Sequence, residues 1–311
     1  MKHILLLLLL SAFKLQAQTE ALIFQSGFEK GSRVIPVKNN HDIIGKDHSL
    51  PFKNDWVEDL EKDGRATFRI EYTGGDSTKR YGAIVAEPGN LNNNVLKFWL
   101  NDSWLADGNQ EKARVQCDLY GIKPGFSEFY QSVRVFLTED FNTVKKYPKR
   151  ISWLTISEFW NNEWWVKNEP YGFRVTLGIG KPAGENDLHF ILNAENPGQK
   201  EVWKATNNEV KVPIGKWFTM EYYFKDGNRE TGRFYMAITP DGEPKKVVYD
   251  VTDFTHNTFD PNSNGLTGYN PMKLYTSKEL VGFMKSEGKT LQIYWDDFKL
   301  WTHKKPEPSR R

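Results

Sequence analysis

Gly215–Gly242 reads GKWFTMEYYFKDGNRETGRFYMAITPDG, and its period decides the fold class. Within Trp217–Lys225, Phe218, Met220, Tyr222 and Phe224 fall on one face, and Trp217, Glu221 and Tyr223 on the other. Alternation at a period of two marks a strand with one buried face, because successive side chains point to opposite sides of a sheet. Arg233–Thr239 repeats the pattern, and Pro240-Asp241-Gly242 supplies a turn.

The same period recurs on both sides of this stretch. Arg65–Tyr72 sets Ala66, Phe68, Ile70 and Tyr72 against Arg65, Thr67, Arg69 and Glu71. Ala113–Leu119 turns out Arg114, Gln116 and Asp118, and Tyr130–Leu137 turns out Tyr130, Ser132 and Arg134. Phe173–Ile179 exposes Arg174 and Thr176, and Leu188–Leu192 exposes His189 with Asn193 just beyond it. Leu22–Glu29 and Leu291–Leu300 complete the strands. Helical spacing is confined to Ser277–Ser286, through Leu280, Val281 and Met284, with a short helix expected around Trp56–Leu60. Short strands joined by Gly, Asn, Asp and Pro turns predict an all-β, two-sheet antiparallel sandwich, one sheet of which presents a concave groove.

Met1–Gln18 reads as a signal peptide: a basic start at Lys2 and His3, an apolar run over Ile4–Leu10, then small residues around Ala17. Residues 19–303 are expected to form a single domain followed by a polar tail at 304–311, secreted or periplasmic and monomeric. No other segment reaches the roughly 20 apolar residues of a membrane span. The lone cysteine, Cys117, rules out an internal disulfide and lies far from the cleavage point, so it is expected to be a small buried hydrophobe. With 42 basic and 40 acidic residues the net charge is +2, without the basic stripe that nucleic acid requires.

Ser152–Trp165, SWLTISEFWNNEWW, concentrates four tryptophans and two glutamates in fourteen residues. The Asn161-Asn162 turn and the polar interleaving leave more indoles than one buried face takes, so some are expected to meet solvent. Indoles cover the C–H face of a sugar ring while carboxylates accept from its hydroxyls. Trp160, Trp164, Trp165, Trp217, Glu158, Glu221, Gln116 and Arg174 are therefore candidate sugar contacts; the alternative is that rings such as Trp153, Phe159 and Trp160 fill the sandwich.

Three stretches, LIFQSGFE at 22–29, Gly215–Gly242 and LQIYWDDFKLW at 291–301, resemble the concanavalin A-like lectin/glucanase superfamily and the secreted polysaccharide lyases built on its jelly roll. Tyr223-Phe224-Lys225-Asp226-Gly227 is similar to the YFKAG motif of the alginate-lyase-like branch; Asn228-Arg229 follows where that branch has its catalytic tyrosine. Arg114-Val115-Gln116 matches the branch's Arg-x-Glu strand loosely, Ser157-Glu158-Phe159 does not match its Gln-aliphatic-His, and the E-x-D-x-E signature of jelly-roll glucanases is absent. The resemblance implies an acidic polysaccharide as partner. Neighbouring first and last strands would bring together Glu29 and Asp297, a candidate pair for a structural calcium ion, which takes 6 to 8 oxygens.

Three functions follow as expectations. A lyase working by β-elimination needs a cation on the uronate carboxylate plus a base and an acid; Arg114, Arg134 or Arg174 supplies the first, and His189, Tyr223 and Tyr130 are candidates for the others. A lectin-like protein would use the tryptophans alone. A hydrolase would pair Glu158 with Glu163 or Glu221. The first two need the polar rows of successive strands to share one wall.

Overall fold

The computed structural model describes residues 20–37, 40–49, 51, 54–61, 67–72, 78–105, 111–162 and 171–307, with the backbone alone for 40, 67–72 and 105. In chain order the first strands are β1 (Ala21–Ser26), β2 (Arg33–Val37), β3 (Asn40–Ile44), β4 (Thr67–Tyr72), β5 (Arg80–Glu87), β6 (Asn90–Leu100) and β7 (Trp104–Leu105). The middle of the chain forms β8 (Glu111–Tyr120), β9 (Glu128–Leu137), β10 (Leu154–Asn161), β11 (Phe173–Gly180), β12 (His189–Asn196) and β13 (Lys200–Thr206). There follow β14 (Trp217–Lys225), β15 (Arg233–Pro240), β16 (Lys246–Thr252), β17 (Gly268–Asn270), β18 (Lys273–Ser277) and β19 (Leu291–Thr302). Helices are α1 (Phe141–Val144), α2 (Lys278–Ser286) and one π-helical turn at Trp56–Leu60. The Ser277 hydroxyl caps α2 by accepting from the Leu280 N–H, which is why the helix starts there.

The strands form an all-β antiparallel sandwich. Among the described residues one sheet has eight strands, ordered β16-β15-β14-β9-β19-β6-β5 with β1 beside β19. The other has eleven, ordered β13-β12-β11-β10-β17-β8-β4-β3-β2, with β18 between β10 and β8 and β7 on β8. The inner faces are the apolar rows read from the sequence: Phe218, Met220, Tyr222 and Phe224 of β14 meet Val175, Leu177 and Ile179 of β11 in one core. Phe159 sits at its centre, with ring centroids of Phe234, Tyr269 and Tyr222 at 4.9, 5.1 and 5.4 Å. Part of the tryptophan-rich stretch is thus core, and such ring pairs add to plain area burial.

The pairing divides the expected wall in two. Arg114, Gln116, Glu158, Trp160, Arg174 and His189 stand on strands of the eleven-stranded sheet, whereas Tyr130, Arg134, Trp217, Glu221 and Tyr223 stand on β9 and β14 of the other. Both sets point away from the core, so the sandwich itself separates them. The reading of one shared wall is corrected accordingly. Alternation fixes which side of its own strand a residue takes, and it carries no information on which sheet the strand joins.

Candidate active site

On the outer face of the eleven-stranded sheet, β10 runs beside β11 on one flank and beside β17 and β18 on the other. A register shift between Thr155 and Ser157 turns Ile156 and Phe159 inward and Glu158 outward. All eight residues of β10 are buried, because the outward side is covered by its neighbours' polar side chains.

Those side chains form an unbroken polar chain across six strands. Gln116 Nε2 donates to Asp118 Oδ1 at 2.7 Å, and Asn270 Nδ2 donates to the same oxygen. Asn270 Oδ1 accepts from Lys273 Nζ at 3.1 Å, and Lys273 also pairs with Glu158 Oε2. Glu158 Oε1 lies 3.8 Å from Arg174 Nη1, and Arg174 reaches Glu195 Oε2 through Nη2 at 2.7 Å and Nε at 2.9 Å. Asn193 Nδ2 closes the chain on Glu195 Oε1 at 2.8 Å. Signs alternate along it, and Lys273 and Glu158 are 2% and 3% exposed. A buried ion pair needs further hydrogen bonds to offset desolvation, and Asn270 and Arg174 provide them.

Burial is the first cause of the shifts here. It pulls the Lys273 ammonium down to about 8, a shift that Glu158 opposes and Arg114 reinforces. It pushes the Tyr275 phenol up to about 12, against the pull of Arg114 and Arg174. Tyr275 is half-buried, with the Lys273 ammonium 5.0 Å and the Arg114 guanidinium 5.7 Å from its ring centroid. It lines a depression of about 480 Å3 with Glu158, Arg174, Thr176, Asn193 and Glu195. A second depression of about 420 Å3 shares Ser152, Asn193 and Glu195 with the first and holds His189, whose Nε2 is 3.5 Å from Glu185. Thr176 Oγ1 and Gln116 Oε1 are buried and have no hydrogen-bond partner among the described residues.

The structure therefore brings Arg114, Gln116, Glu158, Arg174 and, at the far end, His189 to one face. Trp160 is also there, its ring 5.2 Å from the Arg174 guanidinium, but only 9% exposed, so it supports the arginine more than it offers a platform. Trp164, Trp165 and Glu163 lie outside the described residues. Tyr130 and Tyr223, expected to face solvent, are each 2% exposed. They pack with Tyr235, Ala237 and Trp301 into a small cluster on the opposite sheet, where Tyr130 donates to Glu221. Cross-strand aromatic neighbours cover one another there, which alternation along one strand does not reveal. Arg134 is held by Asp241 at 2.8 Å and stacked on Trp217 at 4.8 Å. Because Glu158 and Glu221 lie on opposite faces of the sandwich, they form no hydrolytic pair.

Lys273, Tyr275 and Asn270 escaped the sequence reading. Lys273 and Tyr275 stand on a strand of five residues and Asn270 ends one of three, separated by Pro271-Met272, so both show too little alternation to be read; Lys273-Leu274-Tyr275 was the only signal.

At the other candidate site, Glu29 is raised above the usual carboxylate range by burial, a shift the Asn94 N–H opposes and the charges of Asp47, Asp297 and Glu87 increase. Asp47 is already occupied by the Ser26 hydroxyl, the Gly27 N–H and the Ser32 hydroxyl. Among the described residues no group of three or more His, Cys, Asp or Glu stands ready to hold a metal ion.

One solved structure shares this architecture. A PL-14 alginate lyase from Aplysia kurodai superposes with a TM-score of 0.50 at 10% identity, covering 90% of this chain and 98% of its own. The fold is shared with an alginate lyase. An endo-β-1,4-glucuronan lyase from Trichoderma reesei follows at a TM-score of 0.43 and 14% identity, covering 76% of this chain and 95% of its own. The Chlorella virus alginate lyase vAL-1 gives 0.40 at 10% identity, covering 71% and 88%. No family model matches the sequence, and no curated protein matches it.

Proposed function

We propose that the protein is a secreted polysaccharide lyase that cleaves a uronate-containing glycan by β-elimination in the cleft around Tyr275. The observation that carries this reading is the gathering, on one sheet face, of two guanidinium groups, a half-buried phenol and a lysine brought to about 8. Arg174 and Arg114 neutralise the uronate carboxylate, which acidifies the proton on the adjacent carbon. The Lys273 amine takes that proton. The C–O bond on the next carbon breaks as the double bond forms, and the Tyr275 hydroxyl protonates the leaving oxygen. Glu158 and Asn270 are positioning residues that aim Lys273.

Incubation of the protein with polyuronates, alginate among them, tests the proposal through ultraviolet absorbance of the unsaturated product. New reducing ends without that absorbance, or no turnover at all, reject it. One observation favours a lectin-like alternative: Lys273 is 2% exposed and held by Glu158 and Asn270. Retardation in a polyuronate gel without turnover selects that reading. Export rests on the leader-like residues 1–18, which lie outside the described residues; among the described residues no helix is long and apolar enough to cross a membrane.

A further inference from the structure

The outer face of the eight-stranded sheet carries a row of rings that runs across the strands. Register places Lys97 of β6 opposite Tyr294 of β19, Tyr294 opposite Phe136 of β9, and Phe136 opposite Trp217 of β14. In the adjacent row Tyr81 of β5 lies opposite Trp99 of β6. Ring centroids are 5.1 Å apart for Tyr81 and Trp99, 6.1 Å for Tyr294 and Phe136, and 5.4 Å for Phe136 and Trp217. From β5 to β14 the row crosses four strand intervals, about 19 Å at the usual inter-strand spacing. It is long enough for an extended oligosaccharide.

The side chains are not sealed in. Tyr81, Trp99, Phe136 and Trp217 are each partly exposed, in contrast to the fully covered rings of the core. Lys97 sits among them, its ammonium 5.6 Å from the Tyr81 ring and 5.8 Å from the Tyr294 ring. Among the described residues no carboxylate lies within ion-pair distance of it, whereas Arg134, two strands away in the same sheet, is held by Asp241. A cation held against ring faces with no counter-charge of its own is matched by an anion that also brings apolar surface. A chain of uronic acids brings both: carboxylates for Lys97 and C–H faces for the rings.

We propose that Tyr81, Trp99, Lys97, Phe136 and Trp217 form a second, non-catalytic binding face for an acidic polysaccharide, on the side of the sandwich opposite Tyr275. The choice of a uronate polymer rests on the reading of the Tyr275 cleft; the face itself rests on the ring row and its unpaired cation. It would keep the polymer on the protein between cleavage events, lowering the KM for long chains without touching the chemical step.

The test is affinity electrophoresis of the full protein in gels loaded with alginate or with a neutral glucan, with Lys97→Glu, Trp99→Ala and Lys285→Glu compared with wild type. Lys97→Glu is expected to weaken retardation by alginate at least five-fold at an unchanged melting temperature. Lys285→Glu carries the same charge change on α2, away from the row, and is expected to migrate as wild type. If Trp99→Ala unfolds, Lys97→Glu decides alone. Wild-type retardation of Lys97→Glu, an equal loss in Lys285→Glu, or no retardation of the wild type overturns the proposal. The two proposals fail separately: loss of retardation in Lys97→Glu with no unsaturated product from any polyuronate keeps this face and removes the lyase. Unsaturated product with normal retardation of Lys97→Glu does the reverse.

Discussion

The two outer faces of the sandwich handle charge in different ways. On the eight-stranded sheet several cations are held by a nearby carboxylate: Arg233 grips Asp250 through two hydrogen bonds of 2.7 and 3.0 Å, Lys245 meets Glu221 at 2.8 Å, and Arg134 meets Asp241 at 2.8 Å. On the eleven-stranded sheet charges share partners: Lys273 and Arg174 both bear on Glu158, and Arg114 adds a third cation near Tyr275. Desolvation moves groups on both faces: Asp296, Tyr130 and Tyr223 on the eight-stranded sheet, Lys273 and Tyr275 on the other. On the eleven-stranded sheet the shifted lysine and the shifted phenol adjoin, the ammonium 5.0 Å from the ring centroid.

The largest expected effect separates two tyrosines. Tyr275→Phe should lower elimination by at least about 100-fold, the usual contribution of a positioned proton donor, with thermal unfolding unchanged. Tyr223→Phe should turn over polyuronate as wild type does. Equal losses in the two variants would erase the functional distinction between the faces.

Next comes stability. Lys273→Met strands Glu158 in a buried site and should cost about 3 to 5 kcal/mol in denaturant unfolding. Lys245→Met removes a partly exposed pair and should cost about 1 kcal/mol or less. Similar midpoints for both would show that the crowded face is no more desolvated than the other.

Protonation sharpens the contrast further. A base brought to about 8 requires the elimination rate to rise with pH up to about 8 and then level; a rate flat from pH 6 to pH 9 would remove Lys273 from the proton transfer. Asp296, on the bulge of β19, is pushed up from 3.8 to about 7 by burial, with Asn93 opposing and Asp297 adding to the rise. Between those values the folded state holds a proton that the unfolded state has lost. Its stabilisation is therefore complete below about 4 and disappears as pH rises through about 7. Asp296→Asn should flatten that limb of the stability profile, and an unaltered limb would place the titration elsewhere.

The smallest effect concerns calcium at Glu29 and Asp297. We propose that an ion there stabilises the strand ends, so a chelator should lower the melting temperature by a few degrees with turnover otherwise preserved. An unshifted transition removes the ion.

How much was legible is clear from particular residues. Strand β14 falls on Trp217–Lys225 as the alternation predicts, and α2 falls within one residue of its predicted start because Ser277 is a cap as well as a periodicity boundary. Arg174 was legible as polar and outward from its own strand, and Glu158 as a candidate sugar contact beside the tryptophans. Their partnership with Lys273 was not legible, since it depends on β18 lying between β10 and β8, 119 and 161 residues away in the chain as counted from Leu154 and Lys112 to Lys273.

What the sequence determined by itself is the longer alternating strands and the inward or outward side of their residues, because a period of two is a local property of extended backbone. Which outward residues share a surface was decided only by the tertiary structure. Long-range pairing sends Arg174 and Tyr275 to one sheet and Tyr223 and Arg134 to the other, and no pattern along a single strand records which partner it will find.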